Sequence, residues 1–265
     1  MKILVTNDDG AQARGLFALV QALKDMGDIY VAAPDRQRSG TGHSITVFEP
    51  IRVMPLKMPD IKQGWIIGGT PVDCVKIAMN RLLPEPVDLV VSGINHGPNL
   101  GTDVLYSGTV SAAAEGVIMG APSMAVSLNS FSEEHDFHTA AEFSRQVAQL
   151  IFEQGIDRSI LLNINVPALN VEEIKGVRVS KLGVRNYDNL FEERLDPRGN
   201  TYYWMGGGIM EEEQEEDSDV YAVENNYISI TPIQLDLTDY ELINKFRSSS
   251  ERYLNRLLKK DFRHT

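Results

Sequence analysis

Through the first two thirds of the chain, apolar residues alternate between two rhythms, and that alternation predicts the architecture. Lys2 to Thr6 is a short apolar run of the kind that forms a buried strand; Leu16, Phe17, Leu19, Val20 and Leu23 then fall at helical spacing. Ile29 to Ala33, closed by Pro34, predicts a second strand. Ser44 to Ile67 carries Ile45, Val47, Ile51, Val53, Trp65 and Ile67 and reads as antiparallel excursions rather than a crossover helix. Thr70-Pro71-Val72-Asp73 is a helix start: Thr70 caps, Pro71 suits the first turn, and Asp73 stands where a capping-box acid belongs. Further strands are predicted at Asp88 to Val91, Ser123 to Leu128 and Ile160 to Val166, and helices from about Thr109 and over His138 to Glu153. The expected fold is α/β: a three-layer, doubly wound (Rossmann-like), mostly parallel sheet with a C-terminal hairpin and helix extension.

The rhythm changes after about Gly183. Asn186 to Gly208 is rich in aromatics, Asn and Gly; an acidic run follows, and Tyr227 to Thr231 gives a clean strand. Thr238-Asp239-Tyr240-Glu241 reads as a second capping box, opening a helix with Leu242, Ile243, Phe246, Tyr253, Leu254 and Leu257 mostly on one side. The expected division is residues 1–185 as the catalytic domain and 186–265 as an extension too small to hold its own core, packing back or reaching to a neighbouring subunit.

Charge narrows the partners. Seven acids (Glu211, Glu212, Glu213, Glu215, Glu216, Asp217 and Asp219) fall within nine residues; removing those seven from the formal charge of −12 leaves −5. With no basic stripe, a nucleic acid polymer is an unexpected partner. The run itself reads as a solvated loop. The single Cys74 excludes an internal disulfide and reads as a core residue, and the polar turn at Asn7 follows the first residues with no hydrophobic leader. The expectation is a cytoplasmic protein with no membrane association. Trp65 and Trp204 read as packing residues, with Trp204 also able to stack on a base; His135 and His138 lack the companions of a zinc site.

In a doubly wound sheet, ligands bind outside the carboxyl ends of the strands. The residues following those strands are Asn7-Asp8-Asp9-Gly10, Asp35 to His43, Ser92 to Asn99, and a little later Tyr106-Ser107-Gly108-Thr109. Adjacent carboxylates resist joint ionisation unless a cation separates them. Asp8 and Asp9, with Ser39 and Asn95, make an all-oxygen set suited to one hard divalent metal ion such as Mg or Mn. Ser107, Gly108 and Thr109 open a helix of small residues, whose N–H groups and two hydroxyls suit a phosphate, although either hydroxyl is also an ordinary cap.

These stretches resemble the survival protein E (SurE) family of nucleotidases. The matching segments are Ile3 to Gly10, Ala33 to Gly40, Gly69 to Val75, Val91 to Gly101, Tyr106 to Gly116 and Ile228 to Pro232. The resemblance implies one divalent metal on Asp8, Asp9, Ser39 and Asn95, and a phosphate site at Ser107, Gly108 and Thr109. It also implies hydrolysis of nucleoside 5′- and 3′-monophosphates, in some members of short polyphosphate, and a homodimer or homotetramer joined through C-terminal segments. Asp8, Asp9 and Asn95 are the expected catalytic residues, and Asn7, His43, Asn95, Ser107, Gly108 and Thr109 the expected phosphate-binding ones. The expected mechanism is attack by a metal-activated water, with His43 and His96 as candidate general acids. An aspartyl-phosphate mechanism is disfavoured because Asn7 stands where the nucleophilic acid is needed, and a nicotinamide dehydrogenase because no Gly-x-Gly-x-x-Gly follows the first strand. A non-catalytic nucleotide sensor using the same site is the alternative from another class.

Overall fold

The computed structural model describes residues 1–132, 134–155, 159–188, 191–210 and 212–250, the side chains of Ser248 and Ser249 excepted. The predicted strands and helices assemble into one sheet with helices on both faces. The strands are β1 (Lys2–Thr6), β2 (Asp28–Pro34), β3 (Val53–Pro55), β4 (Gln63–Ile67), β5 (Leu89–His96), β6 (Ser123–Asn129), β7 (Leu161–Pro167), β8 (Gly176–Val179) and β11 (Tyr227–Pro232). Their order is β3-β4-β2-β1-β5-β6-β7-β11-β8. From β4 to β7 every neighbouring pair is parallel; β3 and β11 run antiparallel to β4 and β7. The chain winds from β1 outward through β2 to β4, then returns beside β1 with β5 and winds the other way. The switch point therefore lies between β1 and β5, where such sheets bind ligands.

Alternation within each strand decides what covers it. Ile3 and Val5 join α1 (Arg14–Leu23) and α4 (His138–Glu153) in the larger core, with Leu16, Leu19, Leu23, Val147 and Ile151 fully or nearly buried. Leu4, between them, points to the opposite face, where it meets Cys74 and Val75 of α2 (Pro71–Ile77) and Ala112 of α3 (Gly108–Ile118). Cys74 is thus the core residue its position predicts. Trp65 is buried too, its ring stacked 6.5 Å from Tyr30. The Thr70–Asp73 capping box forms as expected, with both reciprocal hydrogen bonds present.

Several expectations are corrected. Ser44 to Phe48 form no strand, and β4 runs parallel to β2, so only β3–β4 is antiparallel in that excursion. Nothing in the hydrophobic pattern predicts β8, whose four residues alternate half-buried and exposed at the sheet edge. The third strand does not stop at Val91. β5 runs on to His96 through an irregularity between Ser92 and Asn95, which Gly93 permits: its φ is 141°, and a Cβ there would sit 2.4 Å from the Val126 carbonyl oxygen. Such a bulge re-aims the side chains beyond it.

Beyond β8, β9 (Phe191–Leu195) and β10 (Thr201–Met205) make a separate antiparallel ribbon, exposed along its whole length. Trp204, expected to pack, is 59% exposed there. A short helix, α5 (Asp219–Glu224), leads into β11. The acidic run is also corrected at one position: Asp219 is fully buried and accepts the N–H groups of Gly101, Gly183 and Val220. Met1–Ile233 form one compact unit and Gln234–Thr265 a second. In the second, α6 (Tyr240–Ser249) is capped by Asp239, one residue later than expected, because its carboxylate rather than the Thr238 hydroxyl accepts the Leu242 N–H at 2.8 Å. Tyr253, Leu254 and Leu257 lie outside the described residues.

Candidate active site

The turn after β1 is closed by Asn7, which uses both ends of its amide: Nδ2 donates to the Gly10 carbonyl at 2.9 Å, and Oδ1 accepts the Gly10 N–H at 3.3 Å. Asn7 is thereby the residue that shapes the turn. The loop after β2 lies against it. Arg38 N–H donates to the Asp8 carbonyl at 2.7 Å, and a Cβ on Gly10, whose φ is 103°, would meet the Arg36 backbone at 3.2 Å.

Asp8 and Asp9, held by this turn, are approached from three sides. The Thr109 hydroxyl donates to Asp8 Oδ1 at 2.5 Å. A Cβ on Gly108 would fall 2.8 Å from the Asp8 Cβ and 2.9 Å from Oδ2, so only glycine lets α3 begin so close to this carboxylate. Asp9 Oδ2 accepts the His96 backbone N–H at 3.0 Å, which brings the end of β5 alongside. Gln37 Nε2 donates to Ser39 Oγ at 3.0 Å and lies 3.5 Å from Asp9 Oδ1, so Ser39 and Asp9 share one neighbour. Asn95 donates its Nδ2 to the Gly97 carbonyl at 2.7 Å, which commits the amide nitrogen and leaves the oxygen as its donor atom for a cation.

The electrostatics of this corner are strained. Burial pushes the Asp8 carboxyl up to about 6, against the Thr109 hydrogen bond, and the neighbouring Asp9 charge adds to the rise. Asp9 is raised as well, again by burial, with His96 opposing. Among the described residues, neither carboxylate has a Lys or Arg ion-pair partner. A buried Asp8 and a half-buried Asp9 without a Lys or Arg ion-pair partner among the described residues, with a hydroxyl and an amide oxygen offered by the neighbouring loops, fit a hard divalent cation by donor chemistry. Three or more His, Cys, Asp or Glu do not cluster anywhere among the described residues, so the hydroxyl and amide are needed to complete such a set.

The expected phosphate residues divide in their roles. Ser107 caps α3, its Oγ accepting the Val110 N–H at 3.1 Å, and both Ser107 and Thr109 are buried. The positive end of the α3 dipole is thereby aimed at Asp8. His43 faces elsewhere: its Nε2 lies 3.0 Å from Glu115 Oε2, and Glu115, almost fully buried, also accepts Lys76 Nζ at 2.6 Å. His96 turns its Nε2 to the Ser132 carbonyl at 3.1 Å. His135 bonds Ser130. Sequence reasoning missed Gln37 and Glu115. Gln37, two residues before Ser39, had only its loop to mark it; Glu115 is the lone charge in a helix of Ala, Ser and Gly, a pattern that signals a buried, paired acid.

Comparison with known proteins follows the same lines. A family model described as Survival protein SurE matches residues 3–189. A relative from Syntrophomonas wolfei named 5'-nucleotidase SurE is 64% identical over 253 residues, 96% of each chain. One of the same name from Heliobacterium modesticaldum is 52% identical, covering 92% of this chain and 90% of its own. The crystal structure of the SurE protein from Aquifex aeolicus superposes with a TM-score of 0.81 at 40% identity, covering 96% of this chain and all of that one. With the match running through every loop that converges on Asp8 and Asp9, this chain belongs to the survival protein SurE family.

Proposed function

We propose that this protein is a divalent-metal-dependent phosphomonoesterase that hydrolyses nucleoside 5′- and 3′-monophosphates, and short polyphosphate as a secondary substrate. Its relatives' shared name supports the nucleotidase activity. The observation that carries the metal-dependent mechanism is the adjacent Asp8–Asp9 pair, with Asp8 buried and gripped by the start of α3, and neither acid in an ion pair with Lys or Arg among the described residues.

Asp8, Asp9, Ser39 and Asn95 would hold one cation, Mg or Mn by the hardness of their oxygens. When bound, it supplies Lewis-acid polarisation of a phosphoryl oxygen and activation of water. The chain's own groups do the rest. The N-terminal end of α3 at Ser107, Gly108 and Thr109 faces developing negative charge on the phosphoryl group. Thr109 fixes the Asp8 rotamer, and the His96 N–H fixes that of Asp9. In the reaction, an oxygen of water bonds to phosphorus, the ester P–O bond breaks, and the departing oxygen takes a proton. Of the two candidate acids, His96 lines the same cavity as Asp9, whereas His43 is turned to Glu115. His96 is therefore the favoured proton donor.

Assembly as a homodimer or homotetramer through residues 186–265 is part of the proposal. It is supported by the fully exposed β9–β10 ribbon, which presents Phe191, Leu195, Tyr202, Tyr203, Trp204 and Met205 to solvent. Among the described residues, no helix is long and apolar enough to cross a membrane. A cytoplasmic location is the matching expectation, supported by the single, buried Cys74.

The test is phosphate release from AMP and GMP with Mg²⁺ or Mn²⁺ added. Wild type should turn over only with metal, and Asp8→Ala should lose at least about 10³-fold in kcat while retaining its circular dichroism spectrum. Full activity in Asp8→Ala, or in chelator-treated enzyme, would overturn the mechanism.

A further inference from the structure

The start of α3 meets Asp8 only because the chain between His96 and Ser107 delivers it there. That connection holds no strand and no α-helix, only a 3-10 turn at Gly101–Leu105, so its place depends on what its own groups touch. Buried amides hold its first half. Asn163 and Asn165 of β7 both donate to the Asn99 carbonyl, at 2.8 and 3.0 Å, and Asn165 Oδ1 accepts the Asn99 N–H at 2.8 Å.

The turn itself is held by the segment that follows β8. The N–H groups of Gly101 and Gly183 each take one oxygen of the buried Asp219 carboxylate, at 2.9 and 2.7 Å. The two backbones come so close that a Cβ on Gly101 would fall 2.7 Å from the Gly183 carbonyl oxygen. The Thr102 hydroxyl donates to the Arg185 carbonyl at 2.6 Å and accepts the Arg185 N–H at 3.2 Å. Arg185 Nη1 and the Tyr187 hydroxyl then converge on Asp103 Oδ2, at 3.0 and 2.7 Å. The side chains of the Arg185–Asp103 ion pair are only 12% and 18% exposed, and removing one partner of so shielded a pair leaves the other charge stranded. Burial and the bond to Asp103 push the Tyr187 hydroxyl up to about 12, so it stays a donor through the neutral range. The far end of the turn passes directly into the site. The Tyr106 N–H returns to the Asp103 carbonyl at 2.9 Å, the Tyr106 carbonyl accepts the Gly42 N–H at 3.0 Å from the loop that carries Ser39, and Ser107 follows.

We propose that Asp103 and Arg185 are positioning residues for hydrolysis: their ion pair fixes the Gly101–Leu105 turn so that Ser107, Gly108 and Thr109 meet the phosphoryl group in register. The proposal rests on the phosphomonoesterase reading above. A small misplacement of groups that act on charge developing in the transition state costs rate more than ground-state binding, so loosening the turn acts on kcat.

The test uses the full chain with AMP and Mn²⁺. Arg185→Gln and Asp103→Asn should each lower kcat about tenfold while KM for AMP changes less than about threefold. Arg185→Lys, which restores the charge, should return kcat to within about threefold of wild type. Tyr187→Phe removes the second donor without touching a charge; it should lower kcat about threefold, and it keeps the test open if a charge variant fails to fold. The rise in unfolding midpoint on adding Mn²⁺ should persist in every variant, because Asp8, Asp9, Ser39 and Asn95 are unchanged. Wild-type kcat in every folded variant, whatever the loss of unfolding midpoint, would reduce the pair to a structural tie and overturn the proposal. Loss of the Mn²⁺ response would overturn it too, by tracing the lower kcat to the metal ligands. If wild type itself releases no phosphate, the phosphomonoesterase reading falls and the assignment with it.

Discussion

The carboxyl edge of the sheet and the β9–β10 ribbon are both unfinished surfaces, of opposite kinds. At the edge, a carboxyl group is buried: Asp8 is 4% exposed and has no Lys or Arg ion-pair partner among the described residues. On the ribbon, apolar groups are exposed, with Trp204 and Met205 more than half in solvent. Burying a charge costs free energy until an opposite charge arrives, and exposing aromatic surface costs free energy until something covers it. The first deficit asks for an ion, and the second for another protein surface. The two also differ in their cross-links. The edge is cross-linked by Thr109, His96, Gln37 and the Arg38 N–H, whereas among the described residues the strands of the ribbon pair only with each other.

The carboxyl edge is most sensitive to substitution at Gly108. A Cβ there collides with the Asp8 side chain, and the alternative of moving α3 breaks the Thr109 contact. Gly108→Ala should lower kcat by about 100-fold and destabilise the fold by roughly 1–3 kcal/mol. Steady-state kinetics and thermal unfolding check both, and wild-type values in each would show that the close approach is dispensable. On the ribbon, the effect on chemistry should be much smaller. Trp204→Ser should reduce self-association, seen as a lower mass in sedimentation or light scattering, while changing kcat per chain by less than about threefold. A mass equal to that of wild type would remove Trp204 from the interface.

How much of this was legible in the sequence follows from what each feature depends on. The parallel strands, the Thr70–Asp73 cap and the placing of Asp8, Asp9 and Ser39 just after strands depend on local patterns, and the fold reproduces them. The true end of β5 was hidden because Gly93 looks like a strand terminator, while tertiary packing uses it to carry the strand through a bulge to Asn95 and His96. The His43–Glu115–Lys76 cluster joins three residues far apart in sequence, and no local rhythm announces it. Asp219 was masked by its acidic neighbours, since a charge run is solvated by default; its burial depends on the N–H groups of Gly101 and Gly183 waiting to receive it.

The central claim is that Asp8 is a buried carboxylate awaiting a cation, and unfolding midpoints of metal-stripped wild type and Asp8→Asn, with and without Mn²⁺, test it most directly. Without metal, the folded carboxyl titrates near 6, above the value of about 3.9 expected when unfolded. Its contribution to stability is therefore fully present below about pH 4 and is lost as pH rises through about 6. At pH 7.5 metal-free Asp8→Asn should exceed wild type by on the order of 2 kcal/mol, and the gap should narrow at pH 5. Adding Mn²⁺ at pH 7.5 should raise the wild-type midpoint and leave Asp8→Asn nearly unmoved, reversing their order. A wild-type midpoint indifferent to Mn²⁺, or an equal rise in both proteins, would contradict the account.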